Sequence, residues 1–308
     1  MWRKDLLMNE ILTLDFGGSA LKYALLNVRQ EFSESGVMDA PKSGMEEFTN
    51  CVTSLYEKFK HRISGIAIAL AGTLDSKSGY VFQSSTYTFM KEINLVEILN
   101  EKCPIPITLA NDSNSAAMAE MNYGCLQGVS HAIVIILGSA IGGTIIHNGE
   151  IYQGKHFSAA EFSLLKTNGN DDGLDYIWAK KNGSNGLMRL VQKYKGTDKR
   201  YSGIEIFNMA NQGDTDVIDA VDEFCRHLAV QIYNLQTIFD TERIAIGGGI
   251  SAQPLLFELL DEYLNDIFRR EEPFALTNVK PDVVPCKYQN NANLLGAYHH
   301  YVSKYGGQ

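Results

Sequence analysis

The sequence has 308 residues, of which 45% are hydrophobic and 20% are charged, which is ordinary for a folded protein and allows two lobes with separate cores. Asp and Glu outnumber Lys and Arg by 36 to 27, and an acidic chain without a basic run argues against nucleic acid as a partner. No run approaches a signal peptide or a membrane span, and the five scattered cysteines lack zinc-binding spacing. We therefore expect a cytoplasmic protein with reduced thiols and no membrane partner.

The N-terminal part of the chain alternates between strand patterns and helix patterns. In chain order these predict strands at 11–15 and 20–28, a helix at 44–60, a strand at 65–71, a helix at 95–102, a strand at 105–109 and a helix at 113–121. The helix at 44–60, for example, carries apolar side chains at helical spacing, among them Met45, Phe48 and Phe59. This order of elements is typical of an α/β lobe.

The C-terminal part begins with the same layout and then becomes helical. Beyond Gly128, strands at 133–137 and 144–147 enclose a second glycine turn, so we infer an internal duplication. Helices are predicted at 204–210, 216–239, 255–268 and 293–301, whereas residues 166–203 are polar, rich in glycine and expected to form loops. The sequence predicts an α/β lobe at 1–115, on which a C-terminal helix at 292–308 packs, and a second α/β lobe at 116–291.

Three glycine clusters stand at the ends of apolar runs. They are Gly17, Gly18 and Ser19, then Gly138, Ser139, Ala140, Gly142 and Gly143, and finally Gly247, Gly248 and Gly249. Glycine leaves the main chain bare in a tight turn, and successive N–H groups there form a site for anions. Three such turns indicate a polyphosphate held between two lobes, and hence a nucleotide-dependent enzyme. Neither a Walker loop nor the glycine fingerprint of dinucleotide-binding proteins is present.

Asp15 lies two residues before the first glycine pair, and Lys22 follows the turn. A carboxylate beside a phosphate-binding turn can hold Mg²⁺, directly or through water, which offsets the charge of a transferring phosphoryl group. The alternative is an aspartate that only initiates the turn, since aspartates are common in loops. This motif alone leaves both interpretations open.

Asp112 lies where a predicted strand ends and a helix begins, between Asn111 and Asn114. An aspartate there either caps the helix or serves as a general base, which takes a proton from a hydroxyl that attacks a phosphoryl group. The two amides favour the second role, because they suit a ligand with many hydroxyl groups. Glu161 follows the second strand pair, where a loop carboxylate in solvent is the ordinary interpretation.

Taken together, these segments resemble the ROK family of sugar kinases and sugar-responsive repressors. The matching segments, in chain order, are 15–22 for the first phosphate motif, 110–117 for the catalytic motif, 137–143 for the second phosphate motif, 247–251 for the turn on the adenosine side and 294–297 for the closing helix. The resemblance covers almost the whole chain, with the motifs in the family's order and at its separations.

The resemblance implies the two-lobed α/β fold of actin, hexokinase and the Hsp70 ATPase domain, a duplicated ribonuclease H-like architecture, with ATP and Mg²⁺ in a cleft between the lobes. It implies phosphorylation of a sugar hydroxyl with Asp112 as the base and Asp15 binding Mg²⁺ through water. The sugar would contact Gly72, Asn111 and Glu161, and the three glycine clusters with Lys22 would bind ATP. Homodimers are frequent in the family, and the residues give no further indication of the assembly.

The chain departs from the family pattern at three positions. Many members carry a histidine and then a cysteine-rich zinc loop, whereas here Leu164 stands at the histidine position and residues 165–180 contain no cysteine, so we expect no zinc. Asp175 corresponds to a family glutamate that contacts the sugar, and Ala140 replaces a glycine, where its methyl group can hinder the approach of a phosphate. Leucine in place of histidine leaves a more apolar wall, which can accept a bulky aglycone.

With these departures, the chain most resembles the zinc-less β-glucoside kinases of the family. Those enzymes phosphorylate the 6-hydroxyl of cellobiose-like sugars. The alternatives within the same class are an N-acetylmannosamine kinase, a glucokinase or a fructokinase. A sugar-sensing repressor is the alternative of another class, but only fourteen residues precede Asp15, too few for a helix-turn-helix. A degenerate sugar-binding protein would explain Ala140 and Leu164, whereas the retained Asp15 and Asp112 oppose it.

Overall fold

The computed structural model describes residues 10–168, 173–273 and 276–306. Main-chain contacts divide the chain into two units. The first unit comprises Met1–Gly124, Lys155–Ser158 and Asn291–Gln308, and the second comprises Cys125–Gly154 and Ala159–Asn290. The division after Gly124, instead of after residue 115, keeps the helix Asp112–Tyr123 whole within the first unit.

The helices and strands have the following bounds. The strands are β1 (Glu10–Phe16), β2 (Ala20–Leu26), β3 (Phe32–Asp39), β4 (Ile63–Leu70), β5 (Thr73–Asp75), β6 (Tyr80–Gln83), β7 (Lys91–Asn94), β8 (Ile107–Asn111), β9 (Ala132–Leu137), β10 (Ile141–His147), β11 (Glu150–Tyr152), β12 (Arg243–Gly248) and β13 (Asp282–Pro285). The helices are α1 (Met45–Phe59), α2 (Leu95–Asn100), α3 (Asp112–Tyr123), α4 (Trp178–Asn182), α5 (Ser184–Lys195), α6 (Gly203–Asn211), α7 (Thr215–Phe239), α8 (Pro254–Glu271) and α9 (Ala292–Tyr305).

The first unit is built on a five-stranded sheet with the order β3-β2-β1-β4-β8. β1, β2 and β3 are antiparallel, whereas β4 and β8 run parallel to β1. β1 is buried along almost its whole length, as expected for a central strand covered on both faces. A second, smaller sheet in this unit has the order β5-β6-β7.

The C-terminal helix α9 packs on the first unit. It lies along α3, and a side chain at Gly296 would overlap the main chain at Ser115, so glycine allows the two helices to approach closely. The Tyr301 hydroxyl donates a hydrogen bond of 3.0 Å to the Ser64 carbonyl at the start of β4. This contact ties the last helix to the central sheet.

The second unit repeats the sheet of the first. Its five strands have the order β11-β10-β9-β12-β13, again with two antiparallel and two parallel neighbours in the same places. The internal duplication inferred from the sequence is thus confirmed in the strand order. The long helix α7 packs on this unit's core along the apolar stripe that its sequence predicts, from Val217 to Leu235.

Three expectations about local structure are wrong. Residues 166–203 contain the helices α4 and α5, because Leu187, Met188 and Val191 form a buried stripe that the surrounding charges and glycines obscure. β3 and the short strands β5–β7, β11 and β13 were not predicted, since β3 alternates with polar residues at a sheet edge and the others are only three or four residues long. The second glycine turn is shorter than expected, because β10 begins at Ile141.

Within the described ranges, no helix combines the length and the apolar character that a bilayer crossing requires.

Candidate active site

The first glycine turn joins β1 to β2 and exposes its main chain. The Gly17 N–H donates to the carbonyl oxygens of Asp15 (3.2 Å) and Ala20 (3.1 Å), which closes the turn. The Tyr87 hydroxyl donates to the Gly17 carbonyl at 2.9 Å, and burial raises the pKa of Tyr87 to about 12, so this donor keeps its proton. A side chain at Gly18 would meet only Thr86, at 3.9 Å, so the space around Gly18 is open to a ligand.

Asp15 is a buried carboxylate at the end of β1. Its side chain is 6% exposed, accepts a 3.0 Å hydrogen bond from Asn293 Nδ2, and lies opposite Lys22 on β2. Burial raises the pKa of the Asp15 carboxyl, while the Asn293 hydrogen bond and the Lys22 charge partly offset this. Asn293, which lies near the start of α9, was not identified from the sequence, since nothing local distinguishes it.

The donor set around Asp15 fits Mg²⁺. Magnesium is commonly held by one or two carboxylates together with water and substrate phosphates, and Asp15 supplies one carboxylate beside a turn with exposed main chain. A bound cation would also compensate the buried negative charge of Asp15. The described residues contain no group of three or more His, Cys, Asp and Glu side chains arranged for a metal ion.

Asp112 is the first residue of α3, and the cap of that helix is Asn111. The Asn114 N–H donates to Asn111 Oδ1 at 3.0 Å, which is the N-cap hydrogen bond, and the Ser113 N–H donates to Asp112 Oδ1 at 2.8 Å. The alternative role proposed for Asp112, helix capping, therefore belongs to its neighbour. The positive end of the helix stabilises the ionised form of a carboxylate in the first turn.

Gly72 joins this group through Asn111. Asn111 Nδ2 donates a hydrogen bond of 3.1 Å to the Gly72 carbonyl. Gly72 has φ 153°, and a Cβ there would lie 2.6 Å from the Gln83 carbonyl oxygen, so only glycine fits. The structure thus brings together Gly72, Asn111 and Asp112, three of the residues expected to contact the sugar.

The strand register places these groups at one end of the first unit's sheet. Phe16 of β1 pairs with Leu70 of β4, which pairs with Asn111 of β8, so the three parallel strands end level with one another. Asp15, Gly72 and Asp112 adjoin these three ends. Ligands of open α/β sheets bind at the carboxyl ends of the strands, and this edge is the candidate active site of the first unit.

The second glycine turn lies at the equivalent sheet edge of the second unit. The Gly138 N–H donates to the carbonyl oxygens of Ile136 (3.1 Å) and Ala140 (3.0 Å), the same arrangement as at Gly17, and Ser139 and Ala140 are exposed. The Ser184 N–H donates to the Gly138 carbonyl at 2.8 Å, so α5 starts against this turn. Ser184 was not identified from the sequence, because residues 166–203 were expected to form loops.

Gly142 and Gly143 do not form a turn but belong to β10. A side chain at Gly143 would overlap the ring of Phe162, so packing explains this glycine. Gly247 and Gly248 lie in β12, where Gly248 has φ 101° and a side chain would overlap Leu137 of β9. A side chain at Gly249, in contrast, would meet no atom within 4 Å, so its surroundings are open to a ligand.

Glu161 precedes a short 3₁₀ helix, Phe162–Leu164, which ends at Leu164 and is anchored to β10. Ser163 Oγ donates to the Ile141 carbonyl at 2.8 Å and accepts from the Ile141 N–H at 2.9 Å. The Glu161 side chain is exposed, although desolvation by neighbouring atoms raises the pKa of its carboxyl. Leu164 is 57% exposed, which leaves an apolar side chain on the surface three residues after Glu161.

Asp175 lies in the 3₁₀ helix Gly173–Tyr176 and is exposed. Hydrogen bonds hold the two ends of the surrounding segment together: the Thr167 N–H and Oγ1 donate to the Tyr176 carbonyl at 2.7 and 2.8 Å. An isolated bridge between Lys166 and Ile177 adds to this closure. The stretch in which other family members carry a zinc loop is thus closed by main-chain contacts.

A sequence model described as the ROK family matches residues 11–302. The chain belongs to the ROK family. A relative named beta-glucoside kinase, from Listeria monocytogenes, is 26% identical over 298 residues, which cover 96% of this chain and 98% of the relative.

Two solved structures show the fold of this ROK protein. A ROK family protein from Streptococcus pneumoniae in complex with sucrose superposes with a TM-score of 0.84 at 24% identity and covers 96% of this chain and 98% of its own. A ROK family glucokinase from Streptomyces griseus in complex with glucose and AMPPNP gives 0.78 at 22% identity, over 94% of this chain and 98% of its own. The fold is the α/β fold of the actin and hexokinase type.

Proposed function

We propose that this ROK protein transfers the γ-phosphoryl group of ATP to the 6-hydroxyl of a β-glucoside such as cellobiose. The observation that carries the proposal is the position of Asp112. This carboxylate is the first residue of α3, next to the Asn111 cap and the Gly72 main chain, at the carboxyl end of the central strands. The enzyme class rests on the family and its relatives: the chain is an ATP-dependent sugar kinase.

Asp112 acts as the general base. A carboxylate at the start of a helix is stabilised in its ionised form, so it can accept the proton of the attacking sugar hydroxyl. Asn111 and the Gly72 main chain bind other sugar hydroxyls, and Glu161 and Asp175 are the further sugar-binding residues of the proposal. Phosphoryl transfer requires mainly positioning and charge compensation, so a base held in a fixed place beside the bound sugar is sufficient.

Asp15 and the exposed turns bind the nucleotide. Asp15 would hold Mg²⁺ through water, and the ion would offset charge on the phosphoryl group that is transferred. The main chains of Gly17, Gly18 and Gly138 bind the phosphates, with the Ser19 and Ser139 hydroxyls, Ala140 and Lys22. Gly249 contacts the adenosine part of ATP. Gly142, Gly143, Gly247 and Gly248 belong to the strands that lead into these turns.

Leu164 supports the β-glucoside as substrate. Its exposed side chain stands where many members have a histidine that binds the sugar, and an apolar surface tolerates an aglycone at the reducing end. The Listeria relative that covers nearly the whole chain is named beta-glucoside kinase. N-acetylmannosamine, glucose and fructose are the alternative substrates of the same class.

ADP release from Mg-ATP by the purified protein tests the proposal. The sugar panel contains glucose, cellobiose, methyl β-glucoside, N-acetylmannosamine, N-acetylglucosamine and fructose. We expect kcat/KM for the two β-glucosides to exceed that for glucose. A preference for a free or N-acetylated monosaccharide would reject the β-glucoside and keep the kinase, whereas no turnover with any sugar would contradict the kinase reaction itself.

A further inference from the structure

A cavity of about 400 Å³ lies beside the small three-stranded sheet of the first unit, within the size range of small-molecule sites. No motif in the sequence points to it. Residues from four stretches line it: Thr73 of β5, Phe82 and Gln83 of β6, Lys91 and Glu92 of β7, and Lys155, His156 and Phe157. The last three belong to Lys155–Ser158, a short stretch that packs with the first unit although its sequence neighbours belong to the second.

A group of aromatic side chains lines the cavity. The rings of Phe82 and Phe157 are stacked, with centroids 5.4 Å apart and planes 22° apart, and Tyr80 meets Phe82 edge-on at 5.1 Å. Tyr80 and Phe82 are alternate residues of β6 and share one face of the strand. Phe82 remains 38% exposed, so the aromatic surface is available to a ligand, and the apolar C–H face of a pyranose ring packs well on such a surface.

The main chain at Phe157 adopts an uncommon conformation. Its φ is 57°, in the left-handed region that bulky residues rarely occupy. Such conformations cost about 1–3 kcal/mol, persist only where the surroundings impose them, and concentrate at ligand sites. Here the conformation accompanies the stacking of Phe157 on Phe82, which is an independent indication that this aromatic pair is functional.

Polar side chains surround the aromatic pair. Gln83 and Lys91 are paired neighbours on β6 and β7, and both are exposed. Neither side chain makes a hydrogen bond or an ion pair within residues 10–168, 173–273 and 276–306, so their donors can serve a ligand. An apolar surface with a few hydrogen-bonding groups is the usual composition of a small-molecule site.

Two residues that line the cavity adjoin Gly72, on the sugar side of the candidate active site. Thr73 follows Gly72 directly, and the Gln83 main chain lies against Gly72. Gly72 in turn accepts the Asn111 hydrogen bond, and Asn111 precedes Asp112. A sugar ring bound at Gly72 and Asn111 would therefore have this cavity as its neighbour within the same unit.

We propose that the cavity is a subsite for the second ring of a β-linked disaccharide, which stacks on Phe82 and Phe157. The inference rests on the proposed function, because it extends the substrate from the ring that is phosphorylated to the ring that is not. It assigns the choice between one-ring and two-ring substrates to the small sheet β5-β6-β7 and to Phe157.

The test compares cellobiose with methyl β-glucoside in wild type, Phe82→Ala and Phe157→Ala. The readouts are kcat/KM for each sugar and, independently of turnover, the dissociation constant of each sugar by calorimetry. We expect wild type to favour cellobiose and each substitution to reduce that preference about tenfold, the size of a lost stacking contact. Phe32→Ala is the matched control, because Phe32 lies in the same unit, is also 38% exposed and lies outside the cavity.

The outcomes separate the subsite from the proposed function. Equal affinity of wild type for the two sugars, or an unchanged preference in both folded variants, would overturn the subsite and leave the kinase untouched. Cellobiose binding that depends on Phe82 without turnover of any sugar would retain the subsite and overturn the kinase reaction. Turnover of glucose with no binding of cellobiose or methyl β-glucoside would reject the subsite and the β-glucoside together. Thermal unfolding of each variant verifies that it is folded.

Discussion

The two glycine turns share one scaffold and differ in charge. In each unit a central strand and its antiparallel neighbour are joined by a turn whose glycine N–H closes two hydrogen bonds. In the first unit the residues opposite each other beside the turn are Asp15 and Lys22, whereas in the second the equivalent pair is Ile136 and Gly142. The duplication therefore preserved the main chain in both copies, and of these two residue pairs only that of the first copy carries opposite charges.

The carboxyl ends of the parallel strands differ in the same way. In the first unit β8 runs directly into α3, so Asn111 caps the helix and Asp112 stands in its first turn. In the second unit β13 is followed by the 3₁₀ helix Gln289–Asn291, and the chain then returns to the first unit as α9. This difference supports the proposal that the acid–base and metal chemistry belongs to the first unit, whereas the second unit supplies the main chain of a phosphate turn.

Substitution of Asp112 tests this division most directly. We expect Asp112→Asn to lower kcat by roughly 10²–10⁴-fold, the usual contribution of a general base, without loss of the fold. Steady-state ADP release and far-ultraviolet circular dichroism measure the two effects. Asp39→Asn is the matched control, an exposed aspartate on the edge strand β3. Near-wild-type turnover of Asp112→Asn would show that another group accepts the proton.

The charge of Asp15 beside the first turn can be removed, and the effect compared with a substitution of Ile136, the equivalent residue of the second unit. We expect Asp15→Asn to reduce kcat/KM for Mg-ATP about 10–100-fold, because a neutral amide holds a hydrated cation poorly. Ile136→Val at the equivalent position should leave kcat/KM unchanged and cost only about 0.5–1.5 kcal/mol of stability. Equal kinetic effects of the two substitutions would contradict the assignment of the metal to the first unit.

Glycines of the two units are expected to respond differently to alanine. Gly143→Ala should lower the free energy of unfolding by about 1–3 kcal/mol, because the new methyl group would overlap Phe162. Gly18→Ala should change stability by less than about 1 kcal/mol and instead raise KM for ATP, since its surroundings are open. Denaturant unfolding and ATP kinetics provide the measurements. A stability loss at Gly18 as large as that at Gly143 would refute the open turn.

The smallest expected effect is the pH dependence of stability contributed by Asp15. Burial raises the pKa of its carboxyl in the folded state, so folding disfavours the ionised form. The destabilisation is present above the folded-state pKa and disappears as the pH falls towards the ordinary value of an aspartate. Without nucleotide, Asp15→Asn should therefore unfold at a higher temperature than wild type at neutral pH, with a difference that shrinks on acidification.

Thermal unfolding of wild type and Asp15→Asn between pH 4 and 8 measures this difference. Asp261→Asn, on the second unit's surface, is an informative control, because the Lys280 ammonium lowers the pKa of the Asp261 carboxyl. Its pH dependence should have the opposite sign, with stability from Asp261 lost as the pH falls. If Asp15→Asn instead unfolds at a lower temperature than wild type at neutral pH and approaches wild type on acidification, the Asn293 and Lys22 contacts outweigh burial.

Local sequence patterns predicted most of the sheet strands and every long helix except α5. Buried strands such as β4 and β9 are continuous apolar runs, and α7 has a regular apolar stripe. Each of these patterns can be recognised within a short stretch of sequence. α5 was missed because its stripe of three buried residues is narrow among glycines and lysines. The strands of the small sheet are too short to show a period, and their pairing depends on distant residues.

The residues of the candidate site also divide into those that a local sequence pattern reveals and those that depend on distant partners. Asp15, Asn111 and Asp112 were identified as candidate site residues because each stands at the end of an apolar run, where a polar residue is conspicuous in the sequence. Asn293 and Phe157 were not found, because their roles depend on partners 278 and 75 positions away in the chain, Asp15 and Phe82. No local pattern contains that information.

The sequence by itself determined the chemistry available to this ROK protein: which carboxylates end the strands, where the main chain is bare, and which motifs repeat. Only the tertiary structure decided how those groups are used, since Asn111 rather than Asp112 caps α3, and Gly143 makes room for Phe162. The physical reason is that strand ends and glycine turns are local properties of the chain. Hydrogen-bond partners, close packing and stacked rings are set by contacts between residues far apart in sequence.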